Sequence, residues 1–176
     1  MNRKFASIIS LSALLACITA APAEATGVVR GRYAHANPDG GGSAGKVRAA
    51  SAPNGSAYAR GRVSTSDGAG NAGTASASAL RGPNGATAAR SGSTTKSADG
   101  SVNHQGEFSA SGSKGSVQSQ GSYSKGADGS ASGERSTTAT AANGNTYSGS
   151  TTYAKGDGVT HTGTCADASG NTIACR

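Results

Sequence analysis

Two stretches set the hydrophobic and polar pattern of this chain. Val102, His104, Gly106 and Phe108 alternate with Asn103, Gln105 and Glu107. A second run repeats the layout, with Val117, Ser119, Gly121 and Tyr123 alternating with Gln118, Gln120 and Ser122. Period two sends each set to its own face of a pleated strand. Ala57, Ala59, Gly61 and Val63 nearly repeat the first set and are expected on the same face. A glycine two places from an aromatic residue suggests a ring laid over its neighbour's bare backbone. The run Thr74–Ala79 alternates Ser and Ala and fits a strand with small side chains on both faces. No stretch beyond the apolar start has a helical period. Flat strands of small residues specify register weakly and leave their edges open to other chains.

Turn signals punctuate these runs. Gly55, Gly68, Gly85, Gly100, Gly129, Gly144 and Gly158 each follow Asn or Asp, and Gly115 follows Lys114. Asn-Gly and Asp-Gly are strong hairpin signals, read here as turns whose two central residues both take positive φ. The spacing is near 15 residues, as between Gly85 and Gly100 (100 − 85). Two units form a longer repeat: Pro53–Ser66 returns as Pro83–Lys96, 30 residues on (83 − 53). Self-similarity of this kind decides the architecture before any local reading does. The expected fold is all-β, a repetitive antiparallel hairpin or β-solenoid-like array of about eight strands, partly disordered. Residues 1–25 form a signal peptide and 26–52 an irregular glycine-rich lead-in. Residues 53–164 form the array, and 165–176 a closed C-terminal hairpin.

Composition restricts how such a chain can be stabilised. Of 176 residues 28 are Gly and none is Trp. Scarce bulky apolar residues cannot bury a conventional core, so either small side chains stack along a repeat or strands pair between chains. The formal net charge is +7, from 16 Lys and Arg against 9 Asp and Glu. Charge spread this way supplies solubility and self-repulsion, and it also suits an acidic polymer as partner.

The first residues read as an export signal. Met1-Asn-Arg-Lys is a positive start, Phe5–Ile18 an apolar run, and Ala20–Ala25 a small-residue cleavage region. The apolar run is too short to span a membrane. The protein is therefore expected outside the cell, at its surface or in the periplasm. Leu14-Leu15-Ala16-Cys17 is similar to a lipoprotein cleavage site, which offers lipidation of Cys17 and outer-membrane anchoring as the alternative. Cys165 and Cys175 flank a segment nearly symmetrical about Gly170. Export favours a disulfide between them, with Ser169-Gly170-Asn171 as the loop.

Few residues suggest chemistry. His35, His104 and His161 have no partner at a metal-binding spacing. Asp39 and the glycines after it lack the recurring pattern of calcium-binding repeats. The sequence holds no nucleophile elbow and no phosphate-binding glycine loop, and its acids are isolated. The expectation is a protein without enzymatic activity, cofactor, metal or small-molecule substrate. Arg30-Gly31-Arg32-Tyr33 and Tyr58-Ala59-Arg60-Gly61-Arg62 are basic–aromatic patches. Arginine pairs with phosphate and tyrosine stacks on bases, so Arg30, Arg32, Tyr58, Arg60 and Arg62 are candidate polyanion contacts.

Arg81–Ser93, with its echo at 53–62, resembles small exported Gly/Ser/Thr-rich repeat proteins of Gram-negative bacteria that repeat a Gly-Pro-Asn-Gly turn. The resemblance implies export and repetition. In turn–strand periodicity the chain is also similar to curli-like surface proteins, although Gln stands only at 105, 118 and 120. The leading expectation is a secreted or cell-surface structural or adhesive protein that pairs with itself in an extracellular matrix. The alternative is a basic exported protein that binds extracellular DNA, lipopolysaccharide or acidic glycans.

Overall fold

The loops are built to one plan. In Ala52-Pro53-Asn54-Gly55-Ser56 the Gly55 N–H donates to the Ala52 carbonyl at 3.1 Å, and the Ala52 N–H to the Ser56 carbonyl at 2.9 Å. Gly55 has φ +79. This is a type I turn followed by a glycine in the left-handed region, which makes a three-residue hairpin loop. Pro53 pre-sets the first turn position, and the Asn54 side chain accepts from the Ser56 N–H at 3.1 Å. Residues 82–86, 97–101, 126–130 and 141–145 carry the same pair of backbone bonds. The expectation of two positive-φ residues per turn is corrected, because among the described residues only glycines have positive φ. Asn and Asp act from negative φ through their side chains, and glycine alone supplies positive φ.

Two loops are variants of that plan. In 67–71 and 167–171 the Asp comes first, and its Oδ1 accepts two backbone N–H groups (from Ala69 and Asn71, and from Ser169 and Asn171). Gly68 has positive φ, yet Gly70 holds the position of Gly55 and closes the loop. Glycines 40, 55, 70, 85, 100 and 115 are then each 15 residues apart, a stricter period than the Asn-Gly and Asp-Gly dipeptides indicate.

These turns predict an acid response. Hydrogen bonds hold four carboxyls below their ordinary value of 3.8. For Asp67 and Asp167 the main donor is the Asn71 or Asn171 side chain; for Asp99 it is the Ser101 N–H, and for Asp128 the Ser130 hydroxyl. A depressed carboxyl contributes stability above the unfolded value and loses it as pH falls through the folded one. The urea midpoint is therefore expected to be level from neutral pH down to about 4 and to fall below that. Asp99→Asn with Asp128→Asn should flatten the fall, since Asn54 shows that an amide can make the same bond. A midpoint at pH 3 equal to that at pH 7 would refute this account of the loops.

The computed structural model describes residues 26–38 and 40–175. Residues 1–25, expected to be a signal peptide and including Cys17, together with Asp39 and Arg176, lie outside the described residues. The strands are β1 (Gly27–Ala36), β2 (Gly42–Ser51), β3 (Ala57–Ser66), β4 (Ala72–Arg81), β5 (Thr87–Lys96) and β6 (Val102–Gly112). They continue as β7 (Gly115–Lys125), β8 (Ala131–Ala141), β9 (Thr146–Ala154), β10 (Gly158–Ala166) and β11 (Thr172–Ile173). All pair in chain order in one open antiparallel sheet. The array is thus a hairpin meander and not a coil. The 26–52 segment, expected to be irregular, forms β1 and β2. Arg30-Gly31-Arg32 and Lys46-Val47-Arg48 alternate as β3 does, and the loop at Pro38 joins them. The described residues include no helix long and apolar enough to cross a membrane.

Cys165 and Cys175 are joined by a disulfide, with Cα atoms 5.4 Å apart. This is compatible with an oxidising compartment. Cys165 pairs across the ladder with Ile173, and the loop is Ala168-Ser169-Gly170. The expected loop is displaced by one residue, because glycine takes the last loop position and not the middle one.

The sheet is a single layer with almost no core. Among the described residues the buried apolar side chains are Ala59 and Ala77, and Ser119 is the buried polar one. The strands are held by their backbone ladder and by cross-strand hydroxyl pairs. Ser64 meets Thr74 at 2.7 Å, Thr87 meets Ser111 at 2.9 Å, and Ser119 meets Thr137 at 2.9 Å. Ring-over-glycine packing occurs where Tyr147 lies against Gly149 and Gly163, and where Tyr33 covers Gly45. It does not occur at Gly106 or Gly121. A Cβ at Gly106 would meet His104 at 3.5 Å, and one at Gly121 the Glu134 carbonyl at 2.7 Å.

Candidate polyanion-binding face

Register decides which side chains meet. Three-residue loops pair residues whose numbers sum to an even value, as Arg30 with Arg48 and Arg48 with Arg60. Even-numbered positions therefore share one face from β1 to β6. The β6–β7 loop has two residues, Ser113-Lys114, so even positions of β6 pair with odd positions of β7, as His104 with Tyr123. From β7 to β10 the odd positions continue the same face. Val102–Phe108 and Val117–Tyr123 thus share a face as expected. Ala57, Ala59, Gly61 and Val63 do not, because they are odd positions before the switch and lie on the opposite face.

This parity sorts the charges. Every Lys and Arg within β1–β10 except Arg81 stands on the first face, and both strand glutamates, Glu107 and Glu134, stand on the second. Every strand aromatic except Tyr33 is also on the first face. We call it the basic face. The second face is mostly Ser, Thr, Gln and Ala. It holds a shallow hollow of about 1090 Å³ lined by Ser93, Gln105, Glu107, Gln120, Ser122 and Glu134.

The basic face is densest on β1–β3. Arg30, Arg48 and Arg60 form one row across these strands, and Arg32, Lys46 and Arg62 the adjacent row. Neighbours within a row are about 5 Å apart and the rows about 7 Å apart. All six side chains are exposed. Arg62 donates to Thr74 Oγ1 at 3.4 Å. Arg90 lies in line with the first row on β5, opposite Phe108 on β6. Like charges placed directly opposite one another cost stability, roughly 0.2–1 kcal/mol per pair. Four such pairs therefore oppose the fold.

The structure brings together all five candidates named from the sequence. Arg30, Arg32, Arg60 and Arg62 share the two rows, and Tyr58 lies two places from Arg60 on the same face, whereas Tyr33 of the first basic–aromatic stretch turns to the opposite face because it is adjacent to Arg32 in the strand. Lys46, Arg48 and Arg90 complete the patch and were missed. The 30-residue repeat carried a signal for Arg90, since positions 30, 60 and 90 are all Arg. Lys46 and Arg48 join only through the β2 register. The candidate turn glycines all sit in or beside loops with positive φ. His104 and His161 are on the basic face, bonded at Nδ1 to Thr94 and Thr151 at 2.8 Å, and His161 Nε2 lies 3.2 Å from the Tyr147 hydroxyl. His35 is on the other face.

No family model matches this chain, and no curated protein or solved structure matches it.

Proposed function

We propose that this is an exported protein, acting outside the cell, at its surface or in the periplasm, that binds acidic polymers on its basic face. The observation that carries this reading is the sorting of charge. Strand cations gather on one face of a single-layer sheet, and no strand carboxylate stands among them. A chain needing charge only for solubility gains nothing from placing Arg opposite Arg.

Titration of the oxidised chain with inorganic polyphosphate at several salt concentrations tests it. Six engaged cations at about 0.7 released counterions each give a slope of log affinity against log salt of roughly −4, or a loss of about 300-fold between 50 and 200 mM. An affinity that does not change with salt overturns the proposal.

One observation favours a second reading, a structural protein that pairs with itself. Among the described residues no strand pairs with the outer edge of β1, Gly27–Ala36, whereas β11 and the disulfide block part of the β10 edge. Open edges of this length template chain pairing. On this reading the ligand-free chain sediments as species larger than a monomer.

A further inference from the structure

The rows beside the cations narrow the class of polymer. The row next to Arg30, Arg48 and Arg60 on the basic face is apolar: Val28, Ala50, Tyr58, Leu80 and Ala88 follow one another from β1 to β5. Val28 is 56% exposed and Leu80 49%. Phe108 stands in the cationic row itself, directly opposite Arg90. An uncovered apolar row parallel to a double cationic row demands a ligand with an apolar side and an anionic side.

We propose that the basic face binds single-stranded nucleic acid running across the strands, with bases against Tyr58, Leu80 and Phe108 and phosphates on the arginine rows. This rests on the polyanion reading above. Base stacking on an aromatic ring tolerates any sequence, and arginine supplies both charge and a planar stacking surface. Polyphosphate has no apolar side to offer the Tyr58 row, and an acidic glycan offers only the C–H face of a sugar ring, which cannot stack as a planar base does. A duplex hides its bases, and reading them needs an element that enters a groove. The loops here are short, and the face presents side chains from strands. An acyl chain needs depth, but this row is one side chain deep and shallow at Ala50 and Ala88.

The ends of the sheet add a direction. Asp67, Asp99 and Asp128 lie in loops at the end remote from the apolar row. The loops nearer that row, joining β2 to β3, β4 to β5 and β6 to β7, carry no acid. Lys96, Lys125 and Lys155 stand beside these acids, so it is the acid-free surroundings of Arg30, Arg48 and Arg60, and not repulsion from the far end, that favour a phosphate backbone over those rows.

The test uses the full oxidised chain and its Tyr58→Leu, Phe108→Leu and Tyr58→Phe variants. Leu keeps apolar bulk without a ring, and Phe keeps the ring without the hydroxyl. The probes are an oligothymidylate, a duplex of equal length, heparin, and vesicles containing phosphatidylglycerol. Each Leu variant is expected to bind the oligothymidylate about 10-fold more weakly and heparin unchanged, with Tyr58→Phe like the parent. With no Trp in the chain, tyrosine fluorescence should fall as the oligothymidylate binds. Loss of oligothymidylate and heparin binding in equal measure, or no loss in either, overturns the stacking proposal and leaves the polyanion reading standing. Duplex or vesicle binding tighter than the oligothymidylate overturns it as well. Failure of the parent to bind any anionic probe overturns both.

Discussion

Reversing two charges at the centre of the basic face, Lys46→Glu with Arg60→Glu, is expected to weaken polyphosphate binding by at least about 100-fold near physiological salt while making the ligand-free sheet more stable. The two effects have one cause. Lys46 lies directly opposite Arg32 and Arg62, and Arg60 directly opposite Arg48. The reversal turns three repulsive cross-strand pairs into attractive ones, each worth roughly 0.2–1 kcal/mol. It also lowers the charge of the six-cation patch from +6 to +2, so most counterion release on binding is lost. The binding slope against log salt should shrink in proportion, and the urea midpoint at low salt should rise. Salt should stabilise the parent by screening its Arg–Arg pairs, and the variant less. A damaged fold would lower affinity and midpoint together, so the opposite signs separate a lost site from a lost sheet. If the variant bound as tightly as the parent, the face would not be a binding site.

The largest stability effect is expected at Gly115. It follows the two-residue Ser113-Lys114 loop, pairs with Gly112, and has φ +128. A Cβ there would collide with the Thr140 carbonyl oxygen and lie 2.9 Å from the Ala141 Cα, both backbone atoms of β8. Neither atom can move without breaking the β7–β8 ladder. Gly115→Ala should therefore cost about 3 kcal/mol or more, backbone strain and steric overlap combined. Gly85 is the natural comparison. It has φ +76 and open space around a would-be Cβ. Gly85→Ala should cost only the left-handed penalty, about 1–2 kcal/mol. Urea denaturation of the two variants reads the difference. Equal losses would mean that the β6–β7 loop is not as tight as described.

The length of the loop before Gly115 also decides the site. The two-residue loop is where the basic face passes from even to odd positions. A three-residue loop in its place would put Ser119 and Tyr123 on the second face, with Glu107, and Gln118 and Gln120 among the aromatics. One residue in a loop moves a whole strand's side chains to the other face.

Much of the fold was legible in the chain because it is written locally. Asn54-Gly55 and Asp99-Gly100 mark loops whose side chains and glycines act within five residues. Val102–Phe108 shows its own alternation, and Cys165 with Cys175 needs only a short hairpin between them. Strand length, turn position and the disulfide follow from such contacts. The basic face does not. Period two tells which residues of one strand travel together, but it is silent on which set of the next strand joins them. That depends on loop length modulo two, and the sheet multiplies it over ten neighbouring strands. Lys46 and Arg48 look like scattered charges in the chain, and register alone sets them between Arg30, Arg32, Arg60 and Arg62. Local physical chemistry determined the strands and their turns. The pairing register, a property of the assembled sheet, decided that the cations and aromatic rings share one surface.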